Sequence, residues 1–292
     1  MAAAGIDCPP PDPVEQGGLP TDVRRGVGGG HGLILGPGRP AVCRRADTTR
    51  RRPDIDLARA RTLGPVTDSP APSEGLAVLH LFLTPTPLAD RAEILTAIDR
   101  AKSRETQTVT AAMLGHKADL AVMALDADVW ALRALQTDLV TAGLDLVDSY
   151  LSITEVSEYA AGLPEEMKNV RLYPDLPPEG KTAWCFYPMS KRRGEGHNWF
   201  TTPFERRKEL MYEHGTSGRK FAGRLVQLIT GSTGLDDYEW GVTLFAQHLD
   251  DLKEVVYTMR FDEASAVFAE FGPFYTGVVA PPEEALDAIG LR

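Results

Sequence analysis

The stretch LAVLHLFLTPTPLADRAEILTAIDRAKSR, residues 76–104, predicts one β-strand followed by one α-helix. Its first nine residues form an apolar run of strand length, and the next segment has helical spacing from Leu88 to Ile98. Next come two further strand patterns, at residues 108–115 and 118–126. They are followed by a helix pattern closed by a glycine, at 129–143, and by a long strand pattern, at 144–159. This strand-helix-strand-strand-helix-strand order predicts a ferredoxin-like unit over residues 75–160.

The same order of elements recurs over residues 181–292, after a loop rich in proline and glycine at 161–180. The patterns predict a helix at 202–220, with Thr202 as N-cap and Pro203 at the first helical position, and a helix at 250–272 that breaks near Phe261. The predicted strands are 183–190, 221–231, 238–248 and 274–280. Two such halves would pair their sheets face to face or close them into one barrel. The predicted fold class is therefore α+β: duplicated ferredoxin-like βαββαβ halves that form a dimeric α+β barrel.

Residues 1–74 differ in composition from the rest of the chain. They contain no Phe, Trp or Tyr, yet they hold half of the 22 prolines and the cluster Arg50–Arg52. Such a segment buries too little apolar area to offset the entropy of ordering it. We therefore expect a disordered low-complexity tail, in which His31 belongs to a solvated glycine-rich run.

Charge and cysteine content exclude several classes of function. The net charge of −10 argues against nucleic acid as a partner, because phosphate binding favours a basic surface. Cys8, Cys43 and Cys185 are too few and too scattered for a disulfide framework or a zinc site. The sequence predicts neither a membrane span nor a signal peptide, so we expect a cytoplasmic protein.

His214 lies near the end of the predicted helix 202–220, on the stripe that carries Met211 and Arg207. A histidine in this setting is usually a core or capping residue, and the alternative is a metal or haem ligand. No second histidine, cysteine or clustered acid lies beside it at metal-ligand spacing. A metal bound by His214 would therefore need a macrocycle for its other ligands, which favours a porphyrin over zinc. Four other histidines are more typical of structural positions: His80, His116, His197 and His248.

The stretch CFYPMSKRRGEGHNW, residues 185–199, ends a buried strand pattern with Tyr187 and then three consecutive cations. Lys191, Arg192 and Arg193 fit either a solvated charge run or a site that receives carboxylates. Arg260 and Ser265, at the predicted break of the last helix, could hold a second carboxylate.

Four blocks, in this order, closely resemble the coproheme decarboxylases, the haem-synthesising branch of the chlorite dismutase family: CFYPMSKRR, YEHG, GRLVQLITGSTGLDDYEWGVTLF and MRFDEASAVFAEFGPFY. The resemblance covers residues 75–280 in element order and is dense from residue 171 onward. It implies two ferredoxin-like halves per subunit and a homopentamer. It also implies Fe-coproporphyrin III (coproheme) as both cofactor and substrate, hydrogen peroxide as the oxidant, and haem b as the product.

The resemblance also implies roles for seven residues. His214 matches the proximal iron ligand, Tyr187 the tyrosine that becomes a radical, and Lys191 the lysine needed for the second propionate. Gln227 matches the distal position over the iron. Three residues match propionate anchors: Arg260, Ser265 and Arg171, the last in VRLYP. The spacing between Arg171 and Tyr187 is longer than in the family pattern.

The implied reaction converts two propionates of coproheme to vinyl groups through a three-propionate intermediate. A tyrosyl radical takes hydrogen from the β-carbon of a propionate, and loss of a further electron and carbon dioxide leaves the vinyl group. Two alternatives remain: a chlorite dismutase or peroxidase-type haem enzyme, and a non-enzymatic haem-binding or delivery protein. Glutamine at 227, where chlorite-decomposing enzymes have arginine, disfavours the first, and Tyr187 disfavours the second. A transient contact with the ferrochelatase that supplies coproheme is a further expectation.

Overall fold

The computed structural model describes residues 69–160 and 162–292. The predicted tail therefore lies outside the described residues, apart from 69–74, and so do His31, Cys8 and Cys43. The first half contains the predicted elements in the predicted order: β1 (Ala77–Pro85), α1 (Arg91–Lys102), β2 (Gln107–Met113), β3 (Leu120–Asp126), α2 (Val129–Thr141) and β4 (Leu144–Thr154). The predicted strand 144–159 is wrong in its last five residues, because β4 ends at Thr154.

Local signals in the sequence begin and end the two helices of the first half. The Asp90 carboxylate accepts hydrogen bonds from the backbone N–H groups of Ala92 (2.9 Å) and Glu93 (3.2 Å). Asp128 caps α2 in the same way through the N–H of Trp130, at 2.9 Å. Gly143 ends α2 at φ +94°, a conformation that side chains with a Cβ rarely adopt, and β4 begins at the next residue.

The second half contains more elements than the sequence predicts. In chain order they are α3 (Glu165–Leu172), β5 (Ala183–Lys191), β6 (Arg193–Gly194), β7 (His197–Asn198), α4 (Phe204–Arg219), β8 (Leu225–Gly231), β9 (Trp240–Ala246), α5 (Leu249–Met259), α6 (Glu263–Ala266), β10 (Ala269–Phe271), β11 (Tyr275–Val279) and α7 (Pro282–Ala288). The predicted loop 161–180 thus contains a helix. The predicted helix 250–272 does break near Phe261, but its end is wrong, because residues 269–271 pair as a strand with β5.

The start of α4 lies close to the predicted position but uses a different cap. Pro203 is the N-cap residue, and α4 begins at Phe204. The Thr202 hydroxyl donates to the carbonyl oxygen of Asn198 at 2.9 Å and does not cap the helix. The prediction of Thr202 as N-cap is therefore wrong by one residue.

Nine of the eleven strands in the described residues form one closed antiparallel sheet, and β6 and β7 pair separately with each other. Its order is β10-β5-β11-β2-β3-β1-β4-β8-β9, and a further pairing between β5 and β9 closes the eight strands from β5 to β9 in this order into a ring. β10 lies beside β11 along the same edge of β5, outside the ring of the other eight strands. This closure confirms the predicted barrel.

The barrel interior is filled by side chains from all eight ring strands. They include Val78, Val109, Met123, Tyr150, Trp184, Leu228, Phe245 and Tyr275. Helices α1 and α2 pack on the outer face of the first half through Ile94, Ile98, Leu132, Leu135 and Leu139. Since side chains alternate along a strand, Trp184 and Phe186 point inward, whereas Cys185 and Tyr187 point outward into a cluster with α5. Tyr187 therefore lies between the sheet and the helices of the second half.

Within the two described ranges, no helix is both long and apolar enough to cross a lipid bilayer.

Candidate active site

A cavity that is partly open to solvent lies on the outer face of the second half of the barrel, with about 510 Å³ of empty space when its solvent-open part is included. Six of the seven predicted site residues line it: Tyr187, Lys191, His214, Gln227, Arg260 and Ser265. The other eight lining residues are all apolar: Met189, Ile229, Val242, Leu244, Val255, Val256, Met259 and Phe271. The structure therefore brings together one imidazole, one phenol, two cations and an apolar slot.

Arg171 is the predicted site residue that the structure does not bring to this cavity. It lies exposed in the last turn of α3, and its Nη1 donates to the Met167 carbonyl oxygen at 2.6 Å. The bond joins residues of the same helix, so it gives no sign of a ligand.

His214 projects from α4 into the cavity, and the carboxylate of Asp262 holds its ring. Nδ1 of His214 lies 3.1 Å from Oδ2 of Asp262. Because an ionised carboxylate can only accept hydrogen bonds, the proton lies on Nδ1 and the Nε2 lone pair is free. Burial lowers the pKa of His214, the charge of Lys191 lowers it further, and Asp262 opposes both. A neutral imidazole with a carboxylate behind it is the usual arrangement of a metal-bound histidine.

Tyr187 is buried at the cavity wall between two aromatic rings. Its ring stacks on Phe274, with centroids 4.4 Å apart, and meets Phe271 edge-on at 5.6 Å. Burial raises the pKa of Tyr187 well above the ordinary value of a phenol, with a smaller contribution from Cys185. The side chain therefore keeps its proton at neutral pH, in a fixed orientation.

Lys191 is a buried cation at the end of β5. Its Nζ donates to the Ala264 carbonyl oxygen at 2.6 Å and lies 4.5 Å from the centroid of the Trp199 ring. Burial lowers the pKa of Lys191 to about 8, and the nearby Glu239 opposes that shift. The ammonium group is thus charged at neutral pH but only weakly solvated, which favours binding of a carboxylate.

The other two cations of the triplet have protein partners. Arg192 lies 3.4 Å from the carboxylate of Glu270, and Arg193 pairs with Glu239. Neither lines the cavity, so Lys191 is the member of the triplet that can meet a ligand there. Arg260 and Ser265 lie at the C-cap of α5 and in α6, on the segment that also carries Asp262.

The remaining described histidines have structural or exposed positions. His80 is buried inside the barrel, where Nε2 lies 3.0 Å from the Thr243 hydroxyl and burial lowers its pKa to about 3. His116 and His197 are exposed, and His248 is the N-cap residue of α5. Across residues 69–160 and 162–292, no three His, Cys, Asp or Glu side chains come together as a metal site.

Sequence reasoning missed three residues around the site: Asp262, Ser217 and Trp199. Asp262 and Ser217 support His214, while the Trp199 ring faces the Lys191 ammonium group. Of the three, only Ser217 had a signal in the sequence. It lies three residues after His214 on the predicted helix and therefore on the same face. Nothing in the sequence indicates which acid would face that helix.

Comparison with known proteins identifies the family. A family model described as chlorite dismutase matches residues 89–280, more than half of the chain. A coproheme decarboxylase of Staphylococcus carnosus is 45% identical over 181 residues, which cover 58% of this chain and 71% of that protein. A protein of Natronomonas pharaonis whose name refers to heme binding is 43% identical over 203 residues, and the match covers 64% of this chain and 34% of the relative.

A solved structure supports the same relationship. The structure of a protein described as heme-binding, from Thermus thermophilus, is 34% identical and aligns with a TM-score of 0.69. The alignment covers 75% of this chain and 96% of that one. The chain belongs to the chlorite dismutase family.

Proposed function

We propose that this protein is a coproheme decarboxylase, which uses hydrogen peroxide to convert two propionates of coproheme to vinyl groups and releases haem b. For each propionate, one peroxide is reduced to two waters, and the side chain loses carbon dioxide as its remaining two carbons become a vinyl group. The observation that carries the proposal is the convergence of His214, Tyr187 and Lys191 on one apolar cavity. The similarity to the staphylococcal decarboxylase supports it independently.

The residues around the cavity fit an iron porphyrin with several carboxylates. Nε2 of His214 is free to bind iron, because Nδ1 is hydrogen-bonded to Asp262. The eight apolar wall residues suit the flat face of a macrocycle, and Lys191, Arg260 and Ser265 can bind its carboxylates. The bound iron supplies the oxidising chemistry with peroxide, whereas the protein orients the substrate and excludes water.

Tyr187 is the residue in the proposal that relays the oxidation to the propionate. Its phenol would give up one electron and its proton to the oxidant derived from peroxide, and the resulting tyrosyl radical would abstract a hydrogen atom from the β-carbon of a propionate. The carbon radical would then lose a second electron to the same oxidant and release carbon dioxide, which leaves the vinyl group. The raised pKa keeps the phenol protonated, so a hydrogen atom is available for each turnover. Packing against Phe274 and Phe271 holds the ring in one orientation for this step.

Gln227 favours this function over chlorite decomposition. It lines the cavity from β8, and its amide would provide no fixed positive charge beside a bound iron. A haem-binding or delivery protein is the second alternative, but it would have no need for a buried phenol and a buried cation beside the ligand. Decarboxylation uses both.

We expect the purified protein to convert ferric coproheme and peroxide to haem b in two steps. Mass spectrometry of the extracted porphyrin should show coproheme, then a three-propionate species, then haem b, with carbon dioxide released at each step. The matched control is the same mixture without peroxide, which should return coproheme. Recovery of coproheme alone from the complete mixture would rule out the proposed function.

The affinity for coproheme is expected to fall as the pH rises above about 8, the pKa of Lys191 in the free protein. Below that pKa the ammonium group is charged and can bind a propionate, whereas above it the free protein must take up a proton to bind. Linkage then predicts a loss of up to about tenfold in affinity per pH unit. Titrations that follow the absorption of coproheme between pH 7 and pH 10 would measure the slope of the logarithm of the affinity against pH. Lys191→Met should bind more weakly at pH 7 and lose most of the slope; an unchanged slope would show that another group titrates.

The proposal also includes the setting expected from the sequence. It comprises a cytoplasmic location, assembly into a homopentamer, and transient contact with the ferrochelatase that supplies coproheme. Gel filtration with light scattering would test the assembly directly.

A further inference from the structure

Asp262 is the N-cap residue of α6, but its side chain does not cap the helix. Its backbone carbonyl accepts the first hydrogen bonds of α6, from the N–H groups of Ser265 (2.9 Å) and Ala266 (2.8 Å). An aspartate at an N-cap usually caps the helix with its carboxylate as well. Here the carboxylate makes no such bond and points to α4. The local helix therefore does not explain the orientation of this side chain.

The Asp262 carboxylate is shared between two residues of α4. Oδ2 lies 3.1 Å from Nδ1 of His214, and Oδ1 accepts a hydrogen bond of 2.8 Å from the hydroxyl of Ser217. Ser217 and Asp262 are both only 7% exposed, so water does little to replace either bond. Ser217 and His214 lie three residues apart, on one face of the helix, so α4 presents both donors to one carboxylate.

We propose that Ser217 is a positioning residue that sets how strongly His214 donates electrons to a bound iron. This inference rests on the proposed role of His214 as the iron ligand. The Ser217 hydroxyl fixes the orientation of the carboxylate and draws negative charge toward Oδ1. Oδ2 then pulls less on the Nδ1 proton of His214. Such outer hydrogen bonds tune the basicity of a ligand and the reduction potential of its metal.

Removal of the hydroxyl should strengthen electron donation by His214. In Ser217→Ala, the carboxylate has one donor fewer and draws more strongly on the Nδ1 proton, so the ring gains imidazolate character. We expect the ferric-over-ferrous preference of the protein loaded with haem b to rise roughly tenfold. That change equals a fall of about 59 mV in the one-electron reduction potential. The iron–histidine stretching frequency, measured by resonance Raman on the ferrous protein, should rise.

Two further variants separate this role from simple packing. Thr216→Ala removes the neighbouring hydroxyl, which is exposed and donates to the Tyr212 carbonyl of the same helix, so both readouts should stay at wild-type values. Ser217→Thr keeps the hydroxyl and should restore the potential and the frequency. A Ser217→Ala variant with wild-type values would overturn the inference, and so would an equal shift in Thr216→Ala.

The test distinguishes this inference from the proposed reaction. If the Ser217→Ala shift occurs but the wild-type protein does not decarboxylate coproheme, the positioning role stands and the reaction is rejected. If decarboxylation occurs and the two readouts do not move, only the role of Ser217 is rejected. If the wild-type ferrous protein shows no iron–histidine band, both the inference and the assignment of His214 fail.

Discussion

Tyr187→Phe is expected to bind coproheme as tightly as the wild-type protein and to release almost no carbon dioxide. Phenylalanine keeps the ring, so the stack on Phe274 and the edge contact with Phe271 remain. What the substitution removes is the O–H group, the source of the electron and proton in the proposed relay. We expect the rate of decarboxylation to fall at least about 100-fold, a loss typical of a positioned proton donor. Single-turnover experiments that follow the porphyrin by mass would measure it.

Tyr257→Phe is the matched control for this experiment. It makes the same chemical change on α5, at a side chain that is 58% exposed and does not line the cavity. Its turnover should equal that of the wild-type protein. If Tyr187→Phe turns over at more than a tenth of the wild-type rate, the proposed relay through Tyr187 is wrong even if the overall reaction is correct.

His214→Ala is expected to have the second largest effect, on coproheme binding and on the visible spectrum. Among the described residues His214 is the one imidazole that lines the cavity, so in the variant a bound iron would have water or no ligand in its place. We expect a shift of the main absorption band and a loss of affinity of at least about tenfold, the scale of changes in metal coordination. Imidazole added to the buffer should restore the wild-type spectrum, because it can fill the space that the side chain leaves.

His116→Ala provides the comparison for that loss. His116 is exposed in the turn between β2 and β3, outside the cavity wall, so its removal should leave the spectrum and the affinity unchanged. A His214→Ala variant with the spectrum and affinity of the wild-type protein would show that the iron has a different ligand.

The regular part of the fold could be predicted from periodicity, and the exceptions have physical causes. The chain near α3 has prolines at 164, 174, 177 and 178, which favour a loop. Between them, EEMKNVRL forms a helix with acidic residues in its first turn and an ion pair of 2.7 Å between Lys168 and Glu165. At residues 269–271 the apolar spacing is compatible with a helix, but pairing with β5 determines the outcome. Tertiary pairing of this kind outweighs local propensity.

The candidate site was predicted from resemblance and assembled by the fold. Tyr187 and Lys191 share a strand, whereas His214 and Gln227 lie on α4 and β8, and spacing along the chain does not show that these elements meet. The β5–β9 and β8–β9 pairings bring their strands together. Arg171 resembles an anchor in sequence, yet α3 holds it away from the cavity. Asp262 and Ser217 could not be predicted as a pair, because their bond depends on how α4 packs against the α5–α6 turn.

The closed ring of strands joins the two halves of the chain by backbone hydrogen bonds, although the sequence suggests two separate ferredoxin-like units. β11 pairs with β2 of the first half as well as with β5, and β4 pairs with β8. A protein cleaved between β4 and β5 would leave each fragment with two strands that have lost hydrogen-bonding partners. Each fragment would also expose to water the apolar residues that fill the common interior. The second half, which carries the cavity, is therefore not an independent folding unit, and it should not fold when it is separated from the first half.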